Sequence, residues 1–173
     1  MRTRSTASKA LYAFAGLLVG ASLVGGVASA GDIRPSSEDE DAYVNLHPGP
    51  GLSTGFGTGF LNQVQYTSRG GSVYKNVADG SLTVYGLPPK TTHILYVAPG
   101  GTCPGTRGPA FGSTIRITTD ALGGWHGHVH FSFGRNSTWV VKTFNYHVSV
   151  SATSSVSSAV AACGIISDDP NIE

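Results

Sequence analysis

From Ala42 to the end of the chain, short apolar or alternating segments are separated by turn chemistry at every step. AYVNL is followed by HPGPG, GFLNQVQY by TSRGG, SLTVYGL by PPKT and HILYVA by PGG. The second half continues with STIRITT, DALGG, WHGHVHFSF, GRNS, TWVV, TFNYHVSV, the Ser-rich SATSSVSS and AVAACGII. No window keeps a 3.6-residue period free of Gly, Pro or β-branched runs, so helices are not expected. The pattern predicts an all-β sandwich or barrel of about eight strands. A content of 24 glycines and nine prolines, with only 12% charged residues, fits the same class. A length of 173 residues is enough for one core of ordinary size.

Successive side chains of a strand point to opposite faces, so alternation assigns each face. Leu82 and Val84 fall on the core face of SLTVYGL, and Leu95 and Val97 on that of HILYVA, which leaves Ile94, Tyr96 and Ala98 opposite. Val129, Phe131 and Phe133 turn inward in WHGHVHFSF, so His126, His128 and His130 share the other, solvated face. In TFNYHVSV the inward set is Phe144, Tyr146 and Val148, and His147 points out.

The amino terminus reads as a targeting segment. Arg2, Arg4 and Lys9 precede an apolar stretch from Ala10 to Val27, interrupted by glycines and closed by Ala28-Ser29-Ala30. This is the pattern of a secretory signal peptide over residues 1–30, cleaved after Ala30, rather than a membrane anchor. No membrane span is then expected in the mature chain, and the product is secreted or held in the cell envelope. Its eight basic and ten acidic side chains give a net charge near −2. Such a balance leaves no electrostatic footprint for nucleic acid. Residues 31–41, GDIRPSSEDED, have almost nothing apolar to bury and read as a disordered acidic leader. The folded domain is expected over 42–167, with a short tail over 168–173.

Export changes how the cysteines are read, because outside the cytoplasm a pair of thiols usually becomes a disulfide. Cys103 and Cys163 are the two cysteines of the chain, 60 residues apart. Closing a loop of that size is worth about 4 kcal/mol in the chain-entropy estimate. The rival reading is a two-cysteine metal site, and neither Cys sits in a C-x-x-C or C-x-x-H pattern.

Several segments resemble the Cu/Zn superoxide dismutase family, in the same order along the chain. SLTVYGLPPKTTHILYVAPGGTC is similar to that family's strand, G-L-x-P-G turn and H-G-F-H-V-H strand, followed by its first disulfide Cys. RGPAFG looks like its A-G-P-H-F-N, ITTDALGG like its V-T-A-D-x-x-G turn, KTFNYH like its R-T-L-V-V-H strand, and AVAACGII like its closing S-R-L-A-C-G-V-I. Together these segments cover most of Ala42 to Ile166. The resemblance implies a Greek-key β-barrel or flattened sandwich, with Cys163 placed to pair with Cys103.

The family's chemistry does not carry over with the fold. By the resemblance, His93 falls on the family's first, structural His, while the two copper-ligand positions fall on Tyr96 and Ala98 and the bridging His on Ala110. His147 alone matches a copper ligand, no His or Asp lies between Cys103 and Asp120 to serve zinc, and the anion-guiding Arg falls on Val160. A dismutase cycles copper between oxidation states on several imidazoles, and one imidazole is too few. The implied product is a noncatalytic structural or interaction module without a cofactor, whose partner would be a protein or an envelope component.

Two alternatives keep a metal. The first is a copper- or zinc-binding protein that uses His126, His128 and His130, with His147. Neighbours on one strand face lie roughly 6.5 to 7 Å apart, so two imidazoles of an H-x-H pair meet on one ion, and the third joins only if the strand bends. A solvated strand face is the plainer reading of that triplet. The second alternative is a dismutase with a rebuilt copper site around His147. Other chemistries lack their residues: there is no paired-carboxylate site, and no G-x-S-x-G elbow appears. Trp125, Trp139, Tyr66, Tyr74 and Tyr85 could line an aromatic binding surface, although core packing and strand propensity account for each.

Overall fold

The structure is a computed structural model that describes residues 34–50, 52, 54–103, 109–141, 145–155 and 158–168. Residues 1–33, and with them the expected signal peptide, lie outside the described residues, as do Phe144 and the tail beyond 168. Eight strands and no helix are present among the described residues. They are β1 (Arg34–Pro48), β2 (Phe56–Thr67), β3 (Val73–Tyr85), β4 (Thr92–Pro99), β5 (Thr114–Thr118), β6 (Trp125–Gly134), β7 (Tyr146–Ser151) and β8 (Val160–Ser167). No helix among them is long and apolar enough to cross a membrane.

All pairings are antiparallel, and the strands follow the order β5-β4-β7-β8-β1-β2-β3-β6. β1, β2 and β3 form a meander, while the passages from β3 to β4 and from β6 to β7 cross between distant parts of the sheet and give Greek-key connectivity. The end strands approach each other and nearly close the barrel. Ser113 and Ser132 clip the seam: the Ser113 N–H donates to the Ser132 carbonyl, and the Ser132 N–H donates to Ser113 Oγ, both at 2.9 Å.

The barrel interior is filled by the faces that alternation assigns. Leu82, Val84, Leu95, Val97, Val129, Phe131, Phe133, Val148 and Val150 are all buried in one cluster, joined by Val44, Leu61, Ile117 and Ile166. Trp125, Trp139 and Tyr146 pack against that cluster from its margins. Period-2 patterning thus fixes which face each strand turns inward, since a slip of one residue would turn this whole set to water.

Two expectations are corrected. The disordered leader does not extend to Asp41, because β1 begins at Arg34 and pairs with β2 from Arg34 opposite Thr67. A ladder needs main-chain partners rather than apolar side chains, and β2 is long enough to supply them. Asp39 and Asp41 stay exposed, and Asn62 Nδ2 donates to Asp41 Oδ1 at 2.8 Å. The segment TWVV is not a strand either: Val140 and Val141 are buried core residues at the end of a loop. Their N–H groups donate to Oε1 of the fully buried Gln63, at 2.8 and 3.2 Å.

Cys103 and Cys163 form a disulfide, with Cα atoms 5.7 Å apart. It ties the loop after β4 to the middle of β8.

Candidate functional site

Two places hold the residues singled out from the sequence. The first is the outer face of β4, β7 and β8. Register sets Tyr96 opposite Ser149, Ala98 opposite His147, and His147 in turn opposite Ile165. An outer face would ordinarily be wet, yet here Ile94, Tyr96, Ala98 and His147 are all buried. Ile94, Tyr96 and Ala98 form a second buried cluster with Ala110 packed on them, separate from the barrel core. The disulfide and the bond from the Phe111 N–H to the Val97 carbonyl, at 2.7 Å, anchor the loop after β4.

His147 therefore points out of the barrel as alternation requires, but it is buried rather than exposed, at 2% of its free surface. Its Nδ1 lies 2.8 Å from the Gly100 carbonyl oxygen, which only accepts, so Nδ1 carries the proton. Nε2 of the neutral ring is then a lone-pair acceptor, and it is buried with no hydrogen-bond partner among the described residues. Burial pushes the His147 pKa below its ordinary value, and the bond to Gly100 opposes part of that shift. Ser149 Oγ, on the same face, is likewise buried without a partner. Ser151, next on that face, is satisfied: its Oγ accepts the Ile94 N–H at 2.8 Å and donates to the Thr153 carbonyl at 2.5 Å. His93 is buried on the inner side and donates from Nδ1 to the Ser151 carbonyl at 2.8 Å.

A catalytic copper does not fit this donor set. Tyr96, Ala98 and Ala110 stand where the resemblance puts ligands, and among them only a phenol could bind an ion. His147 brings one imidazole nitrogen, whereas copper cycling needs several on one metal.

The second place is the outer face of β6, where His126, His128 and His130 are all exposed. They do not act as one triplet. His126 Nδ1 is 2.7 Å from Thr83 Oγ1, whereas His130 Nδ1 is 2.6 Å from Asp79 Oδ1, so two residues of β3 take up different members. His128 Nε2 lies 3.9 Å from the same Asp79 oxygen. The register explains this: Asp79, Ser81 and Thr83 stand opposite His130, His128 and His126. Among the described residues, no three of His, Cys, Asp and Glu converge to share an ion. His147 lies on another face of the barrel and does not join them. Asp79 itself escaped the sequence reading, since a lone Asp before Gly reads as a turn residue; here it is mid-strand in β3.

Asp120 is a turn residue, as its sequence context indicates. Its Oδ1 accepts the N–H groups of Gly124 at 2.9 Å and Leu122 at 2.8 Å, which holds its carboxyl below the ordinary carboxylate value. Gly123 at φ +79° supplies the left-handed residue of that turn. The aromatics divide by role: Trp125 and Trp139 back the core, Tyr66 and Tyr74 pack edge-on at 6.1 Å between centroids, and Tyr85 is exposed.

No protein-family model and no curated protein matches the chain.

Proposed function

We propose that the chain is an exported superoxide dismutase-like β domain that has lost the copper-zinc site and works as a noncatalytic structural or binding module. One observation carries this reading. The outer face of β4 and β7, where the resemblance would put copper, is filled by Ile94, Tyr96, Ala98 and Ala110, with His147 as its one imidazole. Ile94, Ala98 and Ala110 bring no ligand atoms there, and one phenol and one imidazole are too few for copper cycling, so the face serves packing rather than redox chemistry. Export is supported by the basic, apolar and small-residue order of residues 1–30, and a disulfide spanning 60 residues is compatible with an oxidising compartment.

A second reading, an ion on the β6 face, is favoured by the placement of Asp79. Carboxylates orient metal-binding imidazoles through their second nitrogen, and Asp79 holds His130 by Nδ1 in that way. Elemental analysis after separate incubation of the purified protein with Cu²⁺ and Zn²⁺, followed by exhaustive dialysis, separates the readings. The expected result is well below one ion per chain for both metals, and no superoxide removal above free buffer. About one ion per chain, lost in H128A/H130A, transfers the function to the β6 face. Superoxide removal that disappears in H147A would overturn the noncatalytic reading.

A further inference from the structure

The outer face of β1, β2 and β3 carries an arrangement that neither the core nor the histidines require. Outward-facing side chains stand in rows across the three strands. Tyr43 pairs with Phe60 at 5.8 Å between ring centroids, and Phe56 pairs with Tyr85 at 5.4 Å. Phe56, Tyr85 and Phe60 are three of the four large apolar or aromatic side chains that stay well exposed among the described residues, at 51%, 50% and 37%. Phe56 and Phe60 are four residues apart on one strand, so the two aromatic rows are separated by about 13 Å. Between them runs a row of neutral polar side chains: Asn45, Thr58 and Thr83, in register. Two shallow grooves of about 340 and 330 Å³ follow this pattern, and they share Asn45 and Thr58, so they form one continuous surface.

The lining selects among ligands. No Lys, Arg, Asp or Glu lines either groove, and His47 at one end is the single imidazole, so an anionic or cationic polymer would lose hydration there for little counter-charge. A wholly apolar partner would cover the hydroxyls of Thr58 and Ser81 and leave them unsatisfied. An extended peptide adding as a strand needs a free edge, and β2 is paired on both sides. What fits is a molecule with flat apolar faces and neutral hydrogen-bonding groups around its rim. We infer that this face binds an uncharged polysaccharide, with sugar rings stacked on the Phe56–Tyr85 and Tyr43–Phe60 pairs and their hydroxyls bonded to Asn45, Thr58 and Thr83. This inference rests on the binding-module reading and names its ligand class.

The test uses the purified full protein against insoluble cellulose and chitin, with competition by their soluble oligosaccharides. The expected result is retention on at least one polymer, displacement by the matching oligosaccharide, and about tenfold or more weaker binding in F56A/Y85A. L122S, which removes the other well-exposed apolar side chain and lies outside both groove linings, should bind as the parent does. T58K leaves every ring in place and introduces a charge between the rows, so its loss of binding reports on the surface even if F56A/Y85A is unstable. No retention of the folded, disulfide-bonded protein on either polymer overturns the inference. Retention that soluble oligosaccharides fail to displace, or that F56A/Y85A and T58K leave unchanged, also overturns it. Metal content and superoxide removal measured on the same preparation decide the noncatalytic reading separately, so the two failures are distinguishable.

Discussion

His147 shows how little of a side chain's environment its position in a strand dictates. Alternation puts the ring outside the barrel, but there it is buried and bonded to the Gly100 carbonyl, and burial then favours the neutral form. The consequence is a stability that depends on pH. A His whose pKa is lowered by folding binds its proton more weakly in the native state than in the unfolded chain, so the unfolded state gains as pH falls. The contribution of neutral His147 is complete above the ordinary value near 6.5 and is lost between that value and the lowered native one. Asp120 also weakens the fold in acid, in a separate window: its stabilising ionised form is present above the ordinary carboxylate value of 3.8 and is lost as pH falls through its lowered native pKa. Urea unfolding of the parent and of H147Q at several pH values between 7.5 and 4.5 is the measurement. The parent should lose stability relative to H147Q as pH falls through this range, because Gln does not titrate. Parallel curves would mean that His147 is not the titrating group.

At the scale of elements, the strands were legible and one loop was not. Leu82, Leu95, Val129 and Val148 advertise their faces because a period of two survives in the sequence whatever the strands pair with. TWVV carries the same apolar, β-branched signal, yet it forms a loop whose polar groups are met by side chains from β2 and β3. Gln63 Nε2 donates to the Thr138 carbonyl at 3.1 Å and to Asn76 Oδ1 at 2.8 Å, while its Oε1 accepts from Val140 and Val141. Asn76 Nδ2 donates to the Asn136 and Thr138 carbonyls, and Gln65 Nε2 donates to the Ser137 carbonyl at 2.9 Å. Such amides satisfy a backbone that has no ladder, and nothing in their spacing announces it, since Gln and Asn in strands usually face water. Gln63→Leu keeps the volume and removes both amide atoms, leaving two buried N–H groups and the Thr138 carbonyl to lose a partner. A loss of about 2 to 4 kcal/mol is expected. Equilibrium denaturation checks the size, and a change below about 0.5 kcal/mol would show that water replaces the amide without cost. The same limit applies to the sites: the His126, His128 and His130 face was readable from alternation, whereas Asp79 and the Tyr43–Phe60 and Phe56–Tyr85 rows depend on strand register, which only the folded sheet defines.

Over the described residues, the fold is a nearly closed barrel with an added strap after β4. β5 and β6 meet at a seam held by the Ser113–Ser132 bonds, so the cylinder does not depend on the disulfide for closure. The Cys103–Cys163 bond instead fastens the loop after β4 to β8 over the His147 face. Without it, the loop is held by the Gly100 N–H to the Asn145 carbonyl, by His147 to Gly100, and by Phe111 to Val97. Linking residues 60 apart in sequence narrows the unfolded ensemble by about 4 kcal/mol in the chain-entropy estimate, and measured effects usually run from about 2 to 4. C103S/C163S should therefore keep its strand content, because the barrel core lies on the other side of β4 and β8, while its unfolding free energy falls by about 2 to 4 kcal/mol. Hydrogen exchange locates the effect. The Gly100 and Phe111 amides should lose protection in the double variant under native conditions, and those of Val97 and Val148, on strands that line the core, should keep theirs relative to the global stability. A uniform fall in protection would show that the strap and barrel unfold as one unit. An unchanged unfolding midpoint would show that packing of Ala110 on Ile94, Tyr96 and Ala98 holds the strap without the disulfide.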